Sequence, residues 1–376
     1  MNARSSPRPD FLDRRDILKF ALFALPGLLE TSAGGAEEQK ASFTKTRRLI
    51  EFGWDEPDTT FLRRHLIKME KTPFDGCVFH VEADLPGGKL ENFAWKFWGR
   101  RSFAPEELVR ALEDLKGVEP QRFHSNFLRV NTTPADLDWF DDFGPILANA
   151  RLAGKLARAG RSAGILFDTE QYQGPLFDYS KQSHAETRSW DDYAAQARLR
   201  GREVMEAFQE GFPDLIVLLT FGPSLVVRQR DVGKRPASEV ADGLLVPFVE
   251  GMTDAIRGRS SIVDGHEPSY GYRDPKRFDE ALATIRAAVP KVEAGFGLWL
   301  DYNWPEKGWD VNDPSNNYFT PEVFESSVRA ALERTDGIVW IYTETPRWWT
   351  EHGPSAKLPA PYVDAIRRAR RGLTRD

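Results

Sequence analysis

From Arg47 onward two hydrophobic rhythms alternate along the chain. Short runs of β-branched and aromatic residues, apolar nearly throughout, give way to longer stretches with apolar positions every three or four residues. The short runs cover residues 48–54, 76–82, 123–131, 162–170, 215–220, 261–264, 294–300 and 337–344. Helical stretches follow at 58–70, from Pro105, and at 138–159, 190–210, 239–256, 277–288, 321–334 and 360–371. Continuous apolar strands, of which Leu215-Ile216-Val217-Leu218-Leu219 is the clearest, belong to a parallel sheet covered on both faces. This succession of strand–helix units predicts an α/β fold, a closed (β/α)8 TIM barrel over residues 47–376 as one domain. An open doubly wound sheet would place a Gly-rich phosphate turn after its first strand. Here that place holds Trp54-Asp55-Glu56-Pro57.

Ahead of the barrel the pattern changes. Arg14-Arg15-Asp16-Ile17-Leu18-Lys19 precedes an apolar stretch at 20–29, broken by Pro26, and then small residues from Thr31 to Ala36. Paired arginines, a short apolar core and small residues suited to cleavage resemble a twin-arginine export signal. Residues 1–36 are therefore expected to be a signal peptide and 37–46 a linker. The implied partner is the export machinery, and the implied location is the periplasm or the outside of the cell. The apolar stretch is too short to span a bilayer, and no cysteine stands near it to carry a lipid, so no membrane anchor is expected.

Composition narrows the chemistry. A net charge of -6 argues against nucleic acid or an anionic membrane as partner. The one cysteine, Cys77, lies in an apolar run; it cannot form an internal disulfide and reads as a core residue. Aromatic residues reach 12%, with 11 Trp, and those at strand ends are suited to stacking on sugar rings.

The active site of a TIM barrel lies at the C-terminal ends of its strands. Polar residues fall at those ends here: Glu51, His80, Glu82, Asn126, Asp168, Glu170, Asp264, His266, Glu267, Asp301, Tyr342 and Glu344. Carboxylates beside apolar runs are costly unless paired, solvated or used, so their recurrence at several ends points to a site. Asp168 and Glu170 stand two apart on one strand and so share a face, the barrel mouth. Two close carboxylates push their pKa values apart, leaving one able to act as a general acid.

The run Ala163-Gly164-Ile165-Leu166-Phe167-Asp168-Thr169-Glu170 resembles the fourth strand of chitinase-like glycoside hydrolases, which ends in Asp-any-Glu. The resemblance implies that Glu170 protonates a glycosidic oxygen and that Asp168 steadies a substrate acetamido group. Leu166 and Gly164 stand where that family has further aspartates. More broadly the chain resembles barrel glycosidases, which pair an acid on strand four with a carboxylate on a late strand. Asp301, Glu344 and Glu267 are the candidates for that second group, and its distance from Glu170 would separate retention from inversion. Asp168, Glu170, Glu344 and Asp301 are thus the expected catalytic groups. Glu51, Trp54, His80, Glu82, Asn126, Asp264, His266, Glu267, Tyr302, Trp304, Tyr342 and Trp348 are expected to bind a carbohydrate. Trp54, Trp304, Trp348 and Trp349 are the stacking candidates.

Two rival readings stay open. Oxygen-rich sets at His80-Val81-Glu82 and at Asp264, His266 and Glu267 suit a hard divalent cation, although neither has the H-E-x-x-H spacing of a zinc site. No metal or cofactor is expected on the favoured reading. A sugar-binding barrel without catalysis would keep the aromatic platform alone. No expected strand ends in a lysine suited to Schiff-base chemistry, and no G-x-S-x-G elbow is present.

Overall fold

A computed structural model of the protein describes residues 46–349 and 358–373. The expected signal peptide and most of the linker lie outside these residues. Eight parallel strands close into a barrel: β1 (Arg48–Gly53), β2 (Gly76–Phe79), β5 (Phe127–Asn131), β6 (Gly164–Asp168), β7 (Ile216–Leu219), β8 (Ser261–Asp264), β9 (Glu293–Trp299) and β10 (Ile338–Thr343). Strands β3 (Glu82–Leu85) and β4 (Lys89–Asn92) form a separate antiparallel hairpin. The ring order is β1-β10-β9-β8-β7-β6-β5-β2, and the predicted (β/α)8 barrel is present.

Register sets what faces inward. Ile50 pairs with Trp340, Val78 with Phe127, Arg129 with Leu166, and Leu218 with Val263, and these residues fill the barrel. The alternate positions, among them Leu49, Cys77, Leu128, Ile165, Val217, Phe296 and Val339, pack outward against the helices in one buried cluster. Gly297 leaves room for the Trp340 indole, since a Cβ there would sit 2.7 Å from its ring. That indole crosses the barrel to donate to Gly265 O at 2.8 Å.

The helices are α1 (Thr59–Met69), α2 (Val109–Lys116), α3 (Gly144–Ala159), α4 (Trp190–Gly211), α5 (Pro223–Gly233), α6 (Leu245–Asp254), α7 (Pro275–Ala288), α8 (Pro321–Arg334) and α9 (Ala360–Arg370). Local signals start most of them. Asp58 caps α1 through Phe61 N at 2.7 Å, Ser189 and Asp192 form a capping box on α4, and proline opens α5, α7 and α8. Among the described residues no helix is long and apolar enough to cross a membrane.

The boundaries differ from expectation where side chains from elsewhere intervene. The third barrel strand begins at Phe127 rather than at 123, because the Glu70 carboxylate gathers the backbone N–H groups of Gln121, Arg122 and Phe123 into a loop. Helix α3 begins at Gly144 rather than at 138, since Asp138 accepts from Phe140 N and from the Tyr193 hydroxyl. The helix expected at 239–256 is α6, shorter at both ends, and an unexpected helix, α5, precedes it. The start of α5 is held by Asp264, a residue of another strand.

Candidate active site

The β5 sequence Phe127-Leu128-Arg129-Val130-Asn131 alternates so that Phe127, Arg129 and Asn131 share the inner face. A guanidinium inside a barrel requires counter-charges. Arg129 finds two: Nη2 donates to Asp168 Oδ2 at 2.8 Å and Nη1 to Glu56 Oε2 at 3.0 Å. Its guanidinium also lies 5.4 Å from the Phe52 ring and 5.3 Å from the Trp95 ring. Glu56 extends the chain to His80, whose Nδ1 is 3.5 Å from Oε1. Burial pushes the Glu56 carboxyl up, but Arg129 and His80 outweigh it and hold it below its ordinary value. Burial likewise pushes His80 down, and Glu56 more than reverses that.

Asp168, the last residue of β6, is saturated with donors. Oδ2 accepts from Arg129 and from the Tyr172 hydroxyl at 2.8 Å; Oδ1 accepts from the Thr220 hydroxyl at 3.0 Å and from Glu170 N at 3.3 Å. The sequence placed Asp168 as the charge that sets the proton on Glu170. In the fold its charge is matched by Arg129, so it acts as the hub that orders the mouth. Glu170 follows with its backbone held on both sides, N on Asp168 and O on the Thr132 hydroxyl at 2.9 Å, and it is 9% exposed.

Four places around the ring, on the opposite wall, β10 ends at Glu344. Its Oε2 accepts from the Trp304 indole at 2.8 Å and its Oε1 from the Tyr342 hydroxyl at 3.1 Å, and the residue is 6% exposed. The Tyr342 hydroxyl in turn accepts from the Trp54 indole at 2.9 Å. Tyr342 is fixed by neighbouring rings: Tyr270 stacks on it at 5.5 Å, and Phe52 and Trp299 meet it edge-on at 5.5 and 5.8 Å. Trp54, 53% exposed, stands at the rim with the Arg347 guanidinium 5.7 Å from its ring.

Asp301 is brought close but is otherwise engaged. It accepts from the Trp299 indole at 2.8 Å, Glu344 N at 3.1 Å and Thr345 N at 2.7 Å. Burial pushes its carboxyl up to about 6 against these donors. It ties the loop after β10 to β9 and so positions Glu344. Of the three late candidates, Asp301 is thus taken up by these donors, while Glu344 continues the inward phase of β10. Glu267 opens a short turn after β8 at the rim, its N on Thr220 O at 3.1 Å.

Several expected sugar ligands lie elsewhere, for one recurrent reason: they face away from the barrel interior. Glu51 alternates with the inward Ile50 and Phe52, so it points outward in register with Cys77. Burial, reinforced by Asp55 and Glu56, raises its carboxyl well above the ordinary value. Asp264 also faces outward, where Oδ2 accepts from Ser224 N and Oδ1 from His266 N, both at 3.0 Å. His266 is buried beside it with Nδ1 2.9 Å from the Ser224 hydroxyl, and burial lowers it to about 3, so it is neutral. Asn126 precedes β5 at the far end of the barrel and holds Cys77 N and Phe123 O. Glu82 sits on the β3–β4 hairpin opposite Arg110 at 3.9 Å. Trp348 packs on Phe74 at 4.5 Å, Trp349 is buried against Phe74 and Phe123, and Tyr302 packs between Trp299 and Tyr318. The mouth instead gains Glu56, Arg129, Tyr172, Thr220, Tyr270 and Trp95. Arg129 carried a signal, an arginine on the inner face of an apolar strand, as did Thr220, Tyr172 and Tyr270, polar or aromatic residues at or near strand ends.

Among the described residues no group of three or more His, Cys, Asp or Glu is arranged to hold a metal ion. No protein-family model matches the chain. No curated protein matches it either. Solved structures do align along most of its length. A GH5-4 broad specificity endoglucanase from an uncultured bacterium gives a TM-score of 0.45 at 14% identity, covering 84% of this chain and 85% of that one. A GH10 xylanase of Thermobacillus composti gives 0.44 at 11%, covering 87% and 98%. A protein of Anabaena variabilis, provisionally described as a sugar phosphate isomerase/epimerase, gives 0.43 at 12%, covering 86% and 96%. The likeness is one of fold and leaves the reaction to the residues of this mouth.

Proposed function

We propose that the barrel mouth cleaves a glycosidic bond, with Glu170 as general acid and Glu344 as the facing carboxylate. The observation that carries this reading is the placement of two nearly buried carboxylates on strands four places apart in an eight-stranded ring. A bond lying between them meets a carboxyl group from each wall, the requirement shared by retaining and inverting hydrolysis. Glu344 is oriented by the hydroxyl of Tyr342 and the indole of Trp304. Trp54 offers an exposed ring for a sugar face at the rim, and its indole N–H aligns Tyr342. Arg129 and Glu56 keep Asp168 in place beneath Glu170.

The test uses the protein on aryl glycosides and a polysaccharide panel, beside Glu170→Gln, Glu344→Gln and an EDTA-treated sample. Each substitution is expected to lower kcat by about a hundred- to ten-thousand-fold, with EDTA without effect. Full activity in both variants would refute the assignment. Loss of activity with EDTA would favour the metal-dependent alternative, and glycan binding without turnover the binding barrel. The twin-arginine-like segment further supports an exported protein. Replacing Arg14 and Arg15 together by lysine should leave the chain in the cytoplasm on fractionation, and unchanged export would refute that.

A further inference from the structure

The end of the barrel opposite the mouth carries an open cavity of about 400 Å3, bounded by the turn after α1, the approach to β5 and the end of α9. Five cations line it: Lys71, Arg122, Arg367, Arg370 and Arg371. Three of them also donate to backbone carbonyls. Arg122 donates to Glu70 O at 2.7 Å, Arg367 to Lys71 O at 3.4 Å, and Arg370 to Pro73 O. A carbonyl orients a guanidinium without cancelling its charge.

Three carboxylates stand nearby. Asp75 is bonded by Arg370 at 2.7 and 2.8 Å, Asp364 lies 3.4 Å from Arg367, and Glu70 is turned away onto the backbone N–H groups of 121–123. Among the described residues, five positive charges face three negative ones, an excess of two. Lys71 and Arg371 form no ion pair among the described residues, and they reach the cavity from two different segments. Such a concentration of positive charge stands out on a chain of net charge -6.

We propose that this cavity binds a small molecule carrying two or more oxyanion groups, phosphate or carboxylate. Arginine forks match either group, and cations drawn from three separate segments suit a ligand with more than one anionic group. The volume falls within the roughly 300–1,000 Å3 of small-molecule sites and exceeds what a lone ion needs. This site is separate from the mouth, and its occupancy does not depend on the reaction proposed there.

The experiment is calorimetric titration of the full chain at low ionic strength with pyrophosphate and, separately, with citrate. One saturable site is expected for at least one probe. Tighter pyrophosphate points to a phosphorylated ligand, and tighter citrate to a polycarboxylate. Lys71→Ala with Arg371→Ala should weaken binding by about tenfold or more, since each removes a charged donor. Lys234→Ala with Arg235→Ala, outside the cavity, should leave it unchanged. Thermal melts of both double variants establish that they fold. No saturable binding of either probe, or equal weakening by the two double variants, would overturn the proposal.

Discussion

Removing the positive charge at Arg129 is the sharpest test of the mouth's electrostatics. Arg129→Met keeps the aliphatic stem between Phe52 and Trp95 but deletes two charge-assisted hydrogen bonds, at 2.8 Å to Asp168 and 3.0 Å to Glu56. At an effective dielectric of about 20, each pair is worth roughly 4 kcal/mol of Coulomb energy before desolvation is counted. Breaking a buried pair from one side, which strands the partner charge, costs about 3–5 kcal/mol net. The sign of the pH dependence follows from Glu56. In the wild type its carboxyl is held below the usual 4.5, so its stabilising contribution is present above that value and is lost only as pH falls through the depressed one. Without Arg129, burial dominates and raises it, and the contribution is then lost as pH rises. Chemical denaturation should therefore give a larger penalty at pH 8 than at pH 5. Glu56→Gln in the Arg129→Met background should recover part of the loss. A penalty under about 1 kcal/mol, or one equal at both pH values, would refute the idea that Arg129 is held by buried charge.

Asp301, raised to about 6 from 3.8, contributes stability that is complete below 3.8 and lost as pH rises through 6. The wild type should thus lose up to about 3 kcal/mol across that window and Asp301→Asn should not, as stability curves at pH 3.5–7.5 will reveal. Asp264→Ala removes the acceptor for Ser224 N and His266 N, and should cost about 1–3 kcal/mol of stability while leaving turnover per folded molecule intact. Reduced kcat at full folding would instead return Asp264 to the site. Trp54→Ala should raise KM about three- to tenfold, as expected for loss of one stacking face, with Trp54→Phe milder; a fall in kcat alone would contradict a platform role.

How much of the site was legible depends on which face of its strand each residue occupies. Asp168 stands on the inward phase of β6, and Glu170 and Glu344 follow in phase just beyond β6 and β10, so strand periodicity alone assigns them to that face. Glu51 and Asp264 end equally apolar runs but lie one position out of phase. In a strand buried on both faces, hydrophobicity does not reveal which side is inward, because helix-facing and barrel-facing positions are both apolar. Glu56 sits in a loop with no periodicity to read, and only its contact with Arg129 identifies it. The first helix after β7 escaped for a related reason, since Arg228, Gln229 and Arg230 blur the apolar stripe of α5 and the donor at its start is held by Asp264 on β8.

The amino-acid sequence by itself determined the barrel. Alternating strand and helix periods are local properties of adjacent residues, and right-handed parallel crossovers leave little choice once that alternation is set. It also placed Asp168 and Glu170 on one face at the end of β6, through their spacing of two. Only the tertiary structure decided that Asp168 is neutralised by Arg129, that Asp301 is a brace while Glu344 faces the mouth, and that Glu51 and Asp264 serve the barrel wall. Each of those outcomes rests on charges and donors brought together from strands and loops distant in sequence. Their energies depend on separations of a few ångströms, which no one-dimensional pattern contains.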